Sequence, residues 1–293
     1  MYQNLQRHRV GLYEKALPNN ITWAEKFNLV KELGFDFIEI SIDESDKFRS
    51  RLDWDDCTIY GLRHQCERSG VPIQSICLSA HRKFPFGSAD PKIREQASLH
   101  MRKAIALAYK LGVRIIQLAG YDVYYEPANR ASHLRFIEGM KQAAKLAERA
   151  GVMLAIEIMD TDYLNSLGKF EVLNRDIHSP YFTAYPDVGN ISGWNYDVCS
   201  ELKLSKPHIT QIHLKDAFRV TPEKSGQFRD LVIGQGDVNF NAIFSTLKEI
   251  DCVVPLVIEM WAHDEHWLTN IQTAKLNLNK ACDHAELPRL FIM

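Results

Sequence analysis

One phrase recurs four times along this chain: an amphipathic helical stretch, a glycine, then an apolar run. It reads Lys31-Glu32-Leu33-Gly34-Phe35-Asp36-Phe37-Ile38-Glu39-Ile40 at its first appearance. It returns as Glu67-Arg68-Ser69-Gly70-Val71-Pro72-Ile73, as Lys110-Leu111-Gly112-Val113-Arg114-Ile115-Ile116, and as Glu148-Arg149-Ala150-Gly151-Val152-Met153-Leu154. Glycine just past a helix takes the left-handed conformation without a Cβ clash, so the chain can stop a helix there and turn at once into a strand. Short apolar strands alternating with amphipathic helices predict parallel βαβ units.

Read through to the end, the pattern gives strands at Val10–Lys15, Phe35–Ile42, Val71–Ser79, Val113–Ala119, Val152–Met159, Phe182–Asp187, Ile209–Lys215 and Val253–Met260. Helices fall near Thr22–Leu33, Cys57–Ser69, Asp90–Leu111, Asn129–Ala150, Leu164–Arg175, Tyr196–Ser205, Phe240–Ile250 and Gln272–His284. Eight strands and eight helices in strict alternation predict an α/β fold, a (β/α)8 TIM barrel, as one domain over residues 1–293. A barrel of about 250 residues is commonly a single domain. No Gly-x-Gly-x-x-Gly follows the first strand, which speaks against dinucleotide binding. The helix from Asn129 is expected to cover the barrel with a stripe of Leu134, Ile137, Met140, Ala144 and Ala147. Gly234-Gln235-Gly236-Asp237 reads as a turn into the next helix, capped by Asp237 or Asn239.

Four of the apolar runs end in a side chain that can ligate a metal: Glu157, Asp187, His213 and Glu259. A buried strand end is a costly place for a carboxylate or imidazole unless its charge is compensated. Taken singly, each also fits a loop cap, an ion pair or a satisfied core histidine. Together they stand at four successive strand ends, on the face where TIM barrels place their chemistry. Three carboxylates left uncompensated would repel one another. The set therefore predicts one divalent cation. Its oxygen-rich donors suit Mn, Mg or Co, and Zn remains open.

The near-neutral formal charge of -2 leaves no basic footprint for nucleic acid. No apolar run approaches the roughly 20 residues of a membrane span, and the polar Met1–Arg9 stretch lacks a secretory h-region. Six scattered cysteines with no CxxC pair read as reduced, mostly buried thiols, and so point to the cytoplasm.

Several longer phrases carry a family resemblance across nearly the whole chain. They are Gly11-Leu12-Tyr13-Glu14-Lys15-Ala16-Leu17, Arg51-Leu52-Asp53-Trp54, Cys77-Leu78-Ser79-Ala80-His81-Arg82, Gln117 through Tyr125, and the four ligand stretches. In these the chain resembles the xylose-isomerase-like barrel superfamily. Within it, it resembles the L-ribulose-5-phosphate (L-xylulose-5-phosphate) 3-epimerases of bacterial L-ascorbate and L-xylulose catabolism, earlier named hexulose-6-phosphate isomerases. The resemblance implies reversible epimerisation at C3 of a ketopentose 5-phosphate. It implies that Glu157, Asp187, His213 and Glu259 bind the metal and that Glu157 and Glu259 also form the acid/base pair. It is compatible with a homodimer. Related epimerases of unphosphorylated ketoses carry histidine three residues after the aspartate; this chain has Asn190.

The chemistry suits those residues. Removing the C3 proton beside a C2 carbonyl leaves an enediolate, and a cation stabilises its charge. Inversion needs a second carboxyl on the opposite face. A phosphorylated substrate also needs cations, and His81-Arg82-Lys83 follows strand three at the appropriate end, with Lys215 and Arg219 as further candidates. A merely solvated basic loop is the competing reading. Tyr121, Tyr124 and Tyr125 either line the sugar pocket or pack their loop, and Trp194 and Trp261 share that ambiguity. Aldose–ketose isomerisation, a repair endonuclease on the same barrel and a non-catalytic sugar-binding protein are the alternatives. The apolar end Leu290-Phe291-Ile292-Met293 is expected to dock on the barrel or on a partner subunit.

Overall fold

The computed structural model describes residues 7–292. Most of the polar amino-terminal stretch, and Met293, lie outside the described residues. Eight parallel strands form one sheet: β1 Val10–Tyr13, β2 Phe37–Ile42, β3 Ile73–Leu78, β4 Ile115–Ala119, β5 Met153–Glu157, β6 Phe182–Tyr185, β7 Ile212–Leu214 and β8 Leu256–Ile258. Their order is β6-β5-β4-β3-β2-β1-β8-β7. Two isolated parallel bridges, Ala184–Ile209 and Asp187–His213, join β6 to β7. They complete the circle with hydrogen bonds from the Thr210 amide to Ala184 O (3.1 Å) and from the His213 amide to Pro186 O (2.9 Å). Around the barrel run α1 Trp23–Glu32, α2 Asp56–Ser69, α3 Pro91–Leu111, α4 Arg130–Ala150, α5 Leu167–Ile177, α6 Val198–Ser205, α7 Phe240–Glu249 and α8 Trp267–His284.

The glycine phrase does what the sequence suggests. Gly34, Gly70, Gly112 and Gly151 all have φ between +65° and +77° at the end of a helix. Helix starts are set as locally: Thr22, Asp55, Asp90, Asn129, Ser166, Asp197 and Asn239 each accept a first-turn amide on a side-chain oxygen. Asn239, rather than Asp237, therefore caps α7.

Element ends differ from expectation for identifiable reasons. The strands are shorter. Glu14–Ala16 curls into a 3-10 turn instead of extending β1. Pro255 brings no N–H to the start of β8, and β6 stops at Tyr185, before Pro186. Asp187 instead caps a short helix, Val188–Gly193, that the sequence reading missed. Helix α5 begins three residues later than expected, behind its Ser166 cap, and ends on His178 at φ +52°, a left-handed cap without a glycine to signal it. Helix α8 begins at Trp267 rather than Gln272, because its first turn is largely exposed and its buried face starts only at Ile271.

The stripe on α4 also needs correction. Ile137, Met140, Ala144 and Ala147 are buried, together with Phe136 and Ala143, but Leu134 is 55% exposed. At 100° per residue, Leu134 lies well around the helix from the centre of that face. The six cysteines are all free thiols; Cys77, Cys252 and Cys282 are buried, Cys66 and Cys199 half-buried, and Cys57 exposed. The carboxyl end docks on its own barrel. Leu290 and Phe291 are buried, the Phe291 ring meets Phe35 edge-on at 5.0 Å, and Asn279 exchanges two hydrogen bonds with the Phe291 backbone. Among the described residues, no helix is long and apolar enough to cross a membrane.

Candidate metal centre and substrate cavity

Parallel strands in register carry their last side chains to one rim. There Glu157 ends β5, His213 sits inside the three-residue β7, Asp187 lies two residues past β6, and Glu259 follows β8. One ligand atom from each lies within 4.8 Å of the others, and all four residues are buried. His213 Nδ1 is 3.1 Å from Glu157 Oε1, 3.7 Å from Glu259 Oε2 and 3.9 Å from Asp187 Oδ2. Lys215 Nζ lies between two of the acids, 2.9 Å from Asp187 Oδ2 and 3.1 Å from Glu259 Oε2. Its approach is too oblique for a well-formed hydrogen bond, so both oxygens are buried without an aligned donor.

That arrangement is the test of fit for a cation. Two carboxylate oxygens that share one ammonium, a third carboxylate and an imidazole nitrogen converge on one point with negative charge in excess. A hard divalent cation answers both demands. The histidine is oriented for it. Its Nε2 is 2.7 Å from Glu39 Oε1, which leaves Nδ1 facing the acids. Glu39 is fully buried. Its other oxygen accepts from Ser75 Oγ (2.6 Å), Tyr185 OH (2.9 Å) and Gln211 Nε2 (3.4 Å). On the other side Gln117 donates to Glu157 Oε2.

The charges push the carboxyls apart. Burial raises the Glu157 carboxyl to about 7, against the hydrogen bond with His213. Burial acts the same way on Glu259, but Lys215 and His213 outweigh it and hold that carboxyl at about 2. Asp187 is raised by burial, with Lys215 opposing. Burial alone would strip His213 of its proton; the Glu259 and Glu39 carboxylates reverse this and hold its pKa well above the ordinary value.

A cavity of about 230 Å³ opens above these groups. Glu157, Glu259 and Lys215 form one part of its wall, with Tyr13, Cys77 and Trp261 beside them. Its outer part carries three cation–carboxylate pairs: Lys15 with Asp43 at 2.6 Å, Arg229 with Asp160 at 3.6 Å and Arg82 with Glu44 at 3.9 Å. Arg82 lies over the rings of Tyr124 (4.9 Å) and Tyr121 (5.8 Å).

The expected substrate residues divide. Arg82 and Lys215 reach the cavity, although Lys215 serves the acid cluster and not the outer wall. His81 does not line it; its ring stacks on Phe86 and its Nε2 lies 3.1 Å from Ala97 O, so the ring is turned into the barrel cover. Lys83 is not part of the lining. Arg219 borders a separate depression beside Tyr196 and Asn239. Asn190 is fully buried and donates its amide to Ile158 O at 2.9 Å, so it braces the β5 loop. Tyr121 is buried behind Arg82 and reaches Asp160 Oδ1 at 3.3 Å. Trp261 lines the cavity, while Trp194 packs on Phe228.

Three residues were missed. Glu39 carried a signal of its own, an acid inside a wholly buried strand. Lys15 closed the expected first strand and lies two residues past β1, on the 3-10 turn Glu14–Ala16. Arg229 had no local signal, because it lies in a polar excursion of no periodicity.

Comparison with known proteins identifies the family. Residues 27–286 match the family described as the xylose isomerase-like TIM barrel. SgbU of Haemophilus influenzae, provisionally named an L-ribulose-5-phosphate 3-epimerase, is 48% identical over 92% of this chain and 96% of that protein. The L-ribulose-5-phosphate 3-epimerase UlaE of Escherichia coli is 46% identical over 86% of this chain and 87% of its own. A solved structure of L-ribulose 3-epimerase superposes with a TM-score of 0.75 at 20% identity, covering 95% of this chain and 97% of that one, and so shares its fold. The chain belongs to the xylose isomerase-like TIM barrel family and, within it, groups with the L-ribulose-5-phosphate 3-epimerases, which are isomerases.

Proposed function

We propose that this protein is a metal-dependent 3-epimerase interconverting L-xylulose 5-phosphate and L-ribulose 5-phosphate. The observation that carries the reading is the convergence of Glu157, Asp187, His213 and Glu259 at one part of a cavity that also carries Lys15, Arg82 and Arg229 in its wall. A divalent cation, Mn, Mg, Co or Zn, would be held by those four residues and supply Lewis acidity toward the oxygens that gain charge when C3 is deprotonated. Proton transfer belongs to the chain. Glu157 and Glu259 both line the cavity, and their environments drive their carboxyls in opposite directions, as expected of a pair that divides acid and base roles. One takes the C3 proton, the other returns a proton to the opposite face, and the roles exchange with the direction of reaction. Lys215 offsets the charge of Asp187 and Glu259. At the outer end Arg82, Arg229 and Lys15 would receive the phosphate, the two arginines as bidentate donors and the lysine as a point charge. This replaces the basic run His81-Arg82-Lys83 with three residues drawn from three loops.

Incubation of the purified protein with L-xylulose 5-phosphate in D2O tests the reading. L-ribulose 5-phosphate carrying deuterium at C3 is the expected product. An aldose product would replace epimerisation with isomerisation, and no reaction in the presence of each of the four metals would refute both. The reading includes a cytoplasmic location and a homodimer, the latter to be checked by light scattering.

A further inference from the structure

After β7 the chain leaves the barrel at Asp216 and re-enters the helical layer only at the Asn239 cap of α7. Arg229 stands on this excursion. Its own side chain is weakly tied: it is 42% exposed, 3.6 Å from Asp160 and 6.0 Å over Trp261. Where Arg229 stands is therefore decided by the backbone that carries it.

Asp216 ties together the two ends of that backbone, while nearer Arg229 the Phe228 ring packs on Trp194 and the Gln227 side chain donates to Arg229 O. Asp216 is buried, yet among the described residues it has no cationic partner. Both oxygens are spent on main-chain amides from the two ends of the excursion. Oδ2 accepts from Gly234 N (2.7 Å) and Gly236 N (2.8 Å). Oδ1 accepts from Ala217 N (2.9 Å) and, more loosely, Val238 N (3.3 Å). The Asp237 amide donates to Ala217 O at 2.8 Å and closes the same neck. The fit leaves no room at Gly236, where a Cβ would stand 2.3 Å from Asp216 Oδ1 and 2.6 Å from Ala217 O. Beyond the neck, Phe218 and Gln227 exchange backbone hydrogen bonds, and Gly193 O holds the Val220 amide at 2.8 Å. Asp216 itself does not line the cavity.

We infer that Asp216 is a positioning residue for recognition of the phosphate: its carboxylate closes the neck of the 217–238 excursion and so fixes Arg229 in the outer wall of the cavity. The inference rests on the proposed role of Arg229. A carboxylate that accepts several backbone amides is strongly held, and an asparagine in its place loses one acceptor and turns an N–H toward amides that also donate.

The test compares D216N and G236A with R229A in the full-length, metal-loaded enzyme. The readouts are kcat and KM for L-xylulose 5-phosphate, the competitive inhibition constant of inorganic phosphate, and a thermal melt. D216N is expected to raise both KM and the phosphate inhibition constant by roughly tenfold or more, since misplacing a binding group by an ångström is that costly. Its kcat should stay within about twofold, because saturating substrate restores the complex. G236A presses on the same carboxylate from the other side and should reproduce the split. It decides the matter if D216N does not fold. A fall in kcat with unchanged KM, or no change in either constant, overturns the inference while an R229A defect in KM keeps the phosphate reading. If R229A itself leaves KM and phosphate inhibition unchanged, the phosphate reading fails and the inference falls with it.

Discussion

Replacing Glu39 by glutamine isolates the orientation of His213 from the ligand set. Glu39 does not line the cavity, is fully buried, and holds His213 Nε2 at 2.7 Å while Ser75, Tyr185 and Gln211 converge on its second oxygen. Glutamine fills the same space but brings one acceptor and one donor where two acceptors stood. If its oxygen stays on His213, its NH2 faces three donors. If it flips, it confronts His213 Nε2–H with a donor and pushes the proton to Nδ1, the atom that faces the acids. Either way a hydrogen bond to a charged group is lost, about 1.5–3 kcal/mol. Set against RT of about 0.6 kcal/mol, that is on the order of a 10- to 100-fold loss in metal affinity, the range seen when partners behind a ligand are removed. Competition with a chromophoric chelator measures it directly. Affinity within about twofold of the parent, in a variant that melts normally, would show that Glu39 does not set the imidazole and would sink the orientation argument.

Other consequences can be checked separately. Glu157→Gln and Glu259→Gln should each cut turnover by about 10²-fold or more with the fold intact, as loss of a general acid or base does; near-normal rates in both would remove the acid/base pair. Metal binding should weaken as pH falls through about 7, because Glu157 is raised to about 7 and His213 lies well above its usual value, so protons compete for both ligands. Above that pH Glu157 is already ionised and fewer protons are released, which calorimetry in two buffers of different ionisation enthalpy can count; an affinity flat from pH 6 to 8 contradicts the assignment. Arg82→Ala should raise KM for the phosphorylated sugar roughly tenfold with little change in kcat, and an unchanged KM moves the phosphate elsewhere. Phe291→Ala removes a buried ring from the barrel's underside and should cost about 3–5 kcal/mol, seen as a lower thermal midpoint; a shift below one degree would mean that the tail does not hold the barrel.

The contrast between the two ends of the cavity explains what a sequence can show. The metal cluster is built at strand ends, and a parallel barrel puts every strand end on one rim. An acid or histidine closing an apolar run is therefore placed by topology alone, and Glu157, Asp187, His213 and Glu259 group together from the sequence. Glu39 falls outside this rule, because it stands inside β2 instead of closing it. The outer wall, with its three cation–carboxylate pairs, obeys no such rule. Arg82 lies on a 3-10 turn after β3, Lys15 on another after β1, and Arg229 far along the excursion after β7. Neighbours in sequence do not share a direction there: His81 turns inward to Ala97 O while Arg82 turns to the cavity. A run of basic letters therefore predicted the loop but not the clamp. What places Arg229 is a carboxylate thirteen residues earlier, Asp216, whose partners are backbone amides and leave no pattern in the side-chain alphabet except two glycines. The acid–histidine cluster is thus encoded by strand periodicity. The residues of the outer cavity wall are placed by loop closures, which have to be seen folded.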